Sequence, residues 1–386
     1  MNIVLVIDTF DGGNGGCVAT RRLADGLTGR GHRVSIVSTT PGKSAFTVRG
    51  TTLPGIRESL EKMEFLFGIP EKDVLRRAFA DADIVQIQFP FYLGYGAAKL
   101  AMAMGKGVVG TFHVQPRNII AALGKESALM ERVLGWCFNF LLLDRAPVIQ
   151  CPSQFAADLL RRSGSRRPTR VISNGIPDEY RPMPHHRPDW LGDEMVLINV
   201  GRHALEKRQA LLIEGVKRSR HASKLRLLLC GKGELSRQLV AAGAQLPNPP
   251  LVEHVSHQDK LRFLNTADLF VHGSVVELES LACLEAVGCG LPCLIADSPH
   301  SAAPQFALDS RFVFKHDDAD SLAARLDYWY EHRAELASAR SKVLATAERY
   351  RFDKILDQME QLYREVLGGT VAVNVVSSEP AKGVAA

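Results

Sequence analysis

The chain has 386 residues, 46% of them apolar and 23% charged, with a formal net charge of +5 and a mean hydropathy near zero. That is an ordinary globular composition, with room for two domains of roughly 150–200 residues. Seven scattered cysteines, odd in number and without a C-x-x-C pair, exclude a disulfide frame and a zinc site and suit a reducing compartment such as the cytoplasm.

The opening MNIVLVIDTF has no basic stretch before its apolar run and no small-residue cleavage site. It is therefore expected to be a first β-strand rather than a secretory leader. Short β-branched runs continue at residues 34–37, 84–88, 108–112, 148–151 and 171–172, with helical patterns between them, as at 18–27 and 97–104. Continuous apolar strands separated by helices predict a parallel sheet covered on both faces. Residues 177–193 are polar and carry Pro177, Pro182, Pro184 and Pro188, the composition of a linker. The alternation then restarts, with strands at 196–200, 225–230, 251–252, 269–272 and 292–295 and closing helices at 320–330, 333–347 and 352–367. The most apolar stretch, residues 133–143, is eleven residues long, against the roughly twenty needed to cross a bilayer. From residue 368 the chain is small, Gly/Pro/Ser-bearing and without helical period, so a disordered tail is expected.

The fold class expected is α/β, two doubly wound units whose ligand lies in a cleft at the carboxyl ends of the strands. Charge is uneven between them: residues 1–185 hold 23 Lys and Arg against 16 Asp and Glu, the remainder 24 against 26. A basic first half suits an anionic partner such as a phosphate-bearing substrate or a membrane surface. Its densest part is Arg161, Arg162, Arg166, Arg167 and Arg170, the expected place of contact with an anionic membrane. No nucleic-acid partner is expected.

Several loops at predicted strand ends carry candidate chemistry. Asp11-Gly-Gly-Asn-Gly-Gly16 follows the first strand; glycines there let a ligand approach the backbone amides. The spacing is not G-x-G-x-x-G and no acid closes the second strand, so the dinucleotide fingerprint fails. His113 directly follows a strand and points at the cleft. Asp81-Ala-Asp83 looks like a metal-binding pair but precedes a strand, at the opposite end of the sheet. In the second half, Gly201, Arg202, Glu206 and Lys207 follow one strand and Gly231-Lys-Gly233 the next. Two cations there oppose a diphosphate, and Glu206 holds one of them. Finally, Glu277 and Glu285 stand eight apart, one in a strand-to-helix loop and one past the first helical turn. Carboxylates accept hydroxyl hydrogen bonds, and the free amides between them at the helix start, Ser280, Leu281 and Ala282, suit phosphate. That combination fits a nucleotide sugar.

The ordered pieces DGGNGGCVATRRLADGLTGRGHRVSIVS, GTFH, SNGI, NVGRHALEKRQ, CGKGE and ELESLACLEAVGCGLP resemble the glycosyltransferase family 4 enzymes of GT-B architecture, over residues 1 to about 367. The CLEAVGCGLP stretch is most similar to the diacylglycerol glucosyltransferase subgroup. The resemblance implies two Rossmann-like domains facing a central cleft: residues 1–180 for the acceptor, a linker 181–193, 194–350 for the nucleotide sugar, a helix 351–367 packing back on the first domain, and the tail 368–386. It implies retaining transfer of a hexose from a UDP or GDP sugar to a lipid or glycan acceptor. No metal or other cofactor is expected, and the enzyme would act in the cytoplasm or against the inner membrane face. Arg202 and Lys207 would bind the diphosphate, Glu277 the hexose and Glu285 the ribose, with Gly15, Gly16, Gly201 and Gly231 lining the cleft. The Ser280–Leu281–Ala282 amides would cap the distal phosphate, and His113 would touch the sugar. Two departures stand out. Leu278-Glu279-Ser280 replaces a Gly-Phe-Gly-like run, so that Glu279 competes for the part of Glu277, and Gln86 and Gln88 stand where many members carry His. The rival readings are a GT-B nucleotide-sugar epimerase and a non-catalytic partner subunit.

Overall fold

The central β-branched runs are buried on both faces, so their sheets need a helix layer on either side. A computed structural model of the chain describes residues 1–52, 65–117, 120, 128–138 and 146–369. Its first half holds β1 (Asn2–Val6), β2 (Arg33–Ser38), β3 (Phe46–Thr47), β4 (Gly50–Thr51), β5 (Phe67–Gly68), β6 (Ile84–Ile87), β7 (Gly107–Thr111), β8 (Val148–Cys151) and β9 (Thr169–Val171). Apart from the antiparallel β4–β5 pair, these form one parallel sheet in the order β3-β2-β1-β6-β7-β8-β9. The second half holds β10 (Met195–Val200), β11 (Leu225–Cys230), β12 (Leu251–Glu253), β13 (Leu269–His272), β14 (Cys293–Ala296) and β15 (Val313–Phe314). They form a second parallel sheet, β12-β11-β10-β13-β14-β15.

In both sheets the strand order reverses, beside β1 and beside β10, which opens a crevice at the carboxyl ends where neighbouring loops diverge. Alternation along β1 sends Val4 and Val6 into one apolar cluster and Ile3 and Leu5 into another. Along β10, Val196 and Ile198 part from Met195 and Leu197 in the same way. Both sheets are thus buried between helix layers.

The chain passes between the halves twice. Ile176 and Arg351 form a parallel bridge; Ile176 N donates to Tyr350 O at 2.7 Å and Phe352 N to Ile176 O at 3.1 Å. Gly175 turns the chain there at φ +78, where a Cβ would lie 2.7 Å from the Phe352 ring. The last helix, Phe352–Leu367, lies on the first sheet, with Ile355, Leu356, Met359, Leu362 and Tyr363 in one cluster with Ile3 and Leu5. Arg30 and Arg170 fasten it through Asp357 at 2.5 Å and Glu365 at 2.6 Å.

The two-residue strands β3, β4, β5 and β15 are too short for alternation to show and have no counterpart in the sequence reading. The first helix, Gly15–Gly29, begins three residues before the expected 18–27, because Asn14 caps it by accepting from Cys17 N at 3.0 Å. Gly15 and Gly16 are its first turn rather than a loop. Residues 139–143 of the longest apolar run and the tail from residue 370 lie outside the described residues. Among the described residues, no helix is long and apolar enough to cross a membrane.

Candidate active site

The centre of the second lobe is built from three loops at the crevice end of its sheet. After β10, residues 201–208 pass through a short 3-10 turn, Leu205–Lys207; after β13 comes the loop bearing Glu277; after β14 comes the loop bearing Ser298 and His300. Backbone bonds lock them together: Val275 N donates to Glu206 O at 3.0 Å, Glu277 N to His300 O at 3.3 Å and Ala302 N to Glu277 O at 2.9 Å. The Glu277 carboxylate therefore has a fixed position, and it meets Lys207 Nζ at 2.6 Å and His272 Nε2 at 3.5 Å. Burial alone would raise Glu277, but the charges of Lys207 and His272 outweigh it and hold the carboxyl well below its usual range. Burial would lower Lys207, yet Glu277 keeps it above its ordinary value. Arg202, half exposed, is held by Glu206 at 2.6 Å. Each cation thus stands beside one acid, an arrangement that fixes its position before any anion arrives.

The helix Leu281–Gly288 begins four residues after Glu277. Ser280 caps it, accepting from Cys283 N at 3.3 Å, with φ +94 and ψ 96. A side chain in so sparsely populated a region costs about 1–3 kcal/mol, whereas replacing a serine cap by glycine costs only about a few tenths of a kcal/mol. Ser280→Gly is therefore expected to stabilise the fold by about 1 kcal/mol, read as a raised Tm; a lowered Tm would mean that the cap outweighs the strain.

Glu279 and Glu285 face away from Glu277. Glu279 is buried and accepts from Asn174 N at 2.9 Å and Asn174 Nδ2 at 2.8 Å, so it grips the segment that crosses between lobes, while Glu277 pairs with Lys207. Burial pushes Glu279 up to about 7, and Asp8, buried at the end of β1, likewise to about 7. The unfolded groups ionise near 4 and the folded ones near 7, so between about pH 5 and 7 only the unfolded chain has lost these protons and gains from it. Stability is expected to fall as pH rises through that window, by up to about 3 kcal/mol per group. Calorimetry at pH 5.5 and 8 checks this: Tm drops, and Glu279→Gln removes about half of the drop. A Tm that is flat or rises with pH contradicts it.

Glu285, expected to hold a ribose, is paired with two cations. Its oxygens are occupied by Arg22 at 2.5 Å, from the first lobe, and by Lys260 at 3.0 Å. Both cations lie over the Tyr180 ring, at 5.4 and 5.0 Å. Other contacts also join the lobes. Leu278 sits in a first-lobe apolar cluster while its carbonyl accepts from Ser153 Oγ at 2.5 Å. Gln115 Nε2 donates to His300 O at 3.3 Å. A Cβ on Gly15 would come within 3.9 Å of Leu281, so the two helix N-termini face each other.

In the first lobe, a Cβ on Gly16 would lie 2.7 Å from the Phe89 ring and 3.4 Å from His113 Cβ. Gly16 thus lets the first helix close on the strand ends. His113 stands edge-on to Phe89 at 6.4 Å and borders a cavity of about 20 Å³ with Ser173 and Asn174. Burial pushes it down to about 4, so at neutral pH it is an uncharged imidazole. Gln86 donates to Thr111 at 2.8 Å and accepts from the Tyr363 hydroxyl, a tie between sheet and last helix. Gln88 is buried beside it, and neither of its amide atoms has a hydrogen-bond partner among the described residues.

Gly231, expected to line the cleft, is also a place where protein backbone approaches closely. A Cβ there would lie 1.9 Å from Gly201 O, and one on Gly233 2.3 Å from His203 O, so these glycines admit the neighbouring loop of the protein itself. Asp83 Oδ2 accepts from Asn2 N at 2.7 Å and braces the start of β1, at the end of the sheet away from the crevice. Among the described residues, no group of three or more His, Cys, Asp or Glu is placed to hold a metal. Sequence reasoning missed Arg22, Lys260, His272, Asn174 and Ser153, whose parts depend on pairings between distant segments.

The profile of Glycosyltransferase Family 4 matches residues 13–180, and that of Glycosyl transferases group 1 matches residues 185–344. No curated protein matches the chain. Among solved structures, sucrose-phosphate synthase from Thermosynechococcus elongatus is 17% identical with a TM-score of 0.76, over 96% of this chain and 100% of its own. HepE from Anabaena, in complex with UDP-glucose, is 16% identical with a TM-score of 0.72, over 95% and 100%. At these identities the likeness is one of fold. The catalytic domain of cholesterol-alpha-glucosyltransferase from Helicobacter pylori is 35% identical but covers 40% of this chain and 99% of its own, with a TM-score of 0.38.

Proposed function

The chain belongs to glycosyltransferase family 4 and has the GT-B fold, and on that footing we propose that it moves a hexose from a uridine diphosphate sugar to a lipid or glycan acceptor, with retention at the anomeric carbon. The observation that carries this reading is the Lys207–Glu277 pair, 2.6 Å apart and fixed by backbone bonds at the crevice end of the second sheet. UDP-glucose in the HepE complex supports uridine as the base.

In this reading Lys207 and Arg202 oppose the diphosphate, and the Ser280, Leu281 and Ala282 amides cap its distal phosphate. Glu277 accepts hexose hydroxyls, Glu285 accepts from the ribose while Lys260 holds it, and the uncharged His113 touches the sugar. Gly15, Gly16, Gly201 and Gly231 keep the loops close to the donor. The anomeric carbon loses its bond to the leaving phosphate oxygen as it becomes oxocarbenium-like, and negative charge grows on the diphosphate. Preorganised cations and amides favour that state over the ground state. No carboxylate here is assigned as nucleophile. The acceptor oxygen bonds to the same face that the phosphate leaves, and its proton passes to the leaving phosphate oxygen. The positive charge opposing the diphosphate is assigned to the protein rather than to a metal, and the reaction to the cytoplasm.

The test is donor turnover across UDP- and GDP-hexoses, then with diacylglycerol, polyprenyl or glycan acceptors, reading the anomeric configuration by NMR. The reading expects a UDP-hexose to be turned over, the product to keep the donor's anomer, and Glu277→Gln to abolish both. An inverted product, a trapped glycosyl-enzyme or no turnover of any donor contradicts it.

A further inference from the structure

The run after Glu277 is Leu278-Glu279-Ser280 rather than a glycine-like one, and all three residues are engaged. Leu278 is 7% exposed and, among the described residues, is the one member of its apolar cluster from beyond residue 160; the rest come from the first lobe. Its carbonyl accepts from Ser153 Oγ at 2.5 Å, and Ser153 in turn caps the first-lobe helix Gln154–Arg162 by accepting from Ala156 N at 3.1 Å. Glu279 accepts from Asn174 N and Nδ2 at 2.9 and 2.8 Å, in the segment that crosses between lobes. Ser280 sits at φ +94, and a side chain stays in so sparse a region only where its surroundings hold the backbone firmly.

These contacts converge on Glu277. Its N–H donates to His300 O at 3.3 Å, and the same carbonyl accepts from Gln115 Nε2 of the first lobe at 3.3 Å. Its carbonyl accepts from Ala302 N at 2.9 Å, and Leu278 and Glu279 follow it directly. First-lobe side chains therefore act on the loop from both flanks of Glu277: Gln115 through His300 on one, Ser153 and Asn174 through residues 278 and 279 on the other. The turn that carries Arg202 and Lys207 is bonded instead to its own lobe, through Glu206 O and Val275 N at 3.0 Å.

We propose that Leu278 is a positioning residue for the transfer: seated in the first lobe, it sets the loop that carries Glu277, so that the hexose is aligned only while the first lobe holds this side chain. The inference rests on the reading of Glu277 as the acid that takes the hexose. Its consequence is a division of labour. The diphosphate is gripped by second-lobe groups whether or not Leu278 is seated, whereas alignment of the sugar depends on one apolar side chain buried in the other lobe. An apolar contact suits that task, because it has no direction of its own and its strength follows the area removed from water. The hydrogen bonds of Ser153 and Asn174 beside it supply the register.

Leu278→Ala, Leu278→Val and Leu278→Met are made in the full chain. Melting temperature, UDP binding, single-turnover rate at saturating UDP-hexose and amide hydrogen exchange are measured on each. For Leu278→Ala, expected are UDP bound as in the wild type and a single-turnover rate lower by about ten- to a hundred-fold. Amides in residues 275–280 and 300–302 exchange faster, while strand β13 exchanges as before. Leu278→Val, a smaller truncation, gives an intermediate effect and serves where Leu278→Ala does not fold. Leu278→Met, of similar volume, keeps the wild-type rate and exchange. A purely structural role gives another pattern: melting temperature and active fraction fall, but the rate constant of the folded enzyme and the exchange of the loop stay as they were. That pattern overturns the proposal, as does UDP binding weakened as much as the rate, or Leu278→Met as slow as Leu278→Ala. If the wild type turns over no UDP-hexose, the functional reading falls. Exchange then still decides this one, since an unchanged loop in Leu278→Ala overturns it and a loosened loop supports it.

Discussion

Replacing Lys207 by Met lowers kcat by about a hundred- to a thousand-fold, the loss expected when one preorganised charge that opposes a leaving group is removed, about 3–4 kcal/mol. The effect is large because the charge is fixed beforehand. Lys207 is held by Glu277 at 2.6 Å, on a turn whose Glu206 carbonyl is tied to the next loop. The substitution also leaves Glu277 buried without its lysine, with His272 at 3.5 Å, so a fall in Tm accompanies the loss of rate. Single-turnover kinetics at saturating donor separate the two: a structural defect lowers the active fraction, while the lost charge slows the chemical step. A drop in kcat of less than ten-fold would remove Lys207 from the account.

Gly231→Ala is the second large effect. The added Cβ meets Gly201 O at 1.9 Å, and that oxygen is backbone that no rotamer change can move. The loop carrying Arg202 and His203 has to shift, although Gly201 N is bonded to Cys230 O at 3.1 Å and His203 N to Lys232 O at 3.1 Å. Overpacking costs about 1–3 kcal/mol or more, and a shift of about 1 Å in a positioned group costs about a hundred-fold in rate. Expected are a lower Tm and a kcat/KM reduced by about two orders of magnitude, measured by calorimetry and steady-state kinetics. Wild-type activity would mean that the loops are not coupled as described.

The layout of both sheets was legible because their central strands are runs of four to six residues that are apolar at all but one position, as in β6, β8, β10 and β11. The crevice followed from strand order, and the Glu277 loop and Lys207 from their places at strand ends. What the sequence could not disclose was pairing at a distance. Glu277 and Lys207 are 70 positions apart, and Glu285 and Arg22 are 263 apart; no local pattern says that one acid finds a lysine of its own lobe and the other a cross-lobe arginine. Ser280 was visible as a departure from a glycine-like position, but its φ of +94 needed coordinates. The glycines at 16 and 231 were read as sites of close approach, and packing shows the protein groups that lie against them, Phe89 and Gly201.

The most direct test is a crystal structure of the chain soaked with a UDP-hexose. The account predicts the diphosphate at the start of helix Leu281–Gly288, within hydrogen-bonding reach of Lys207 and the Leu281 and Ala282 amides, with the hexose against Glu277. A nucleotide sugar bound elsewhere, with that helix start and Lys207 untouched, would contradict it.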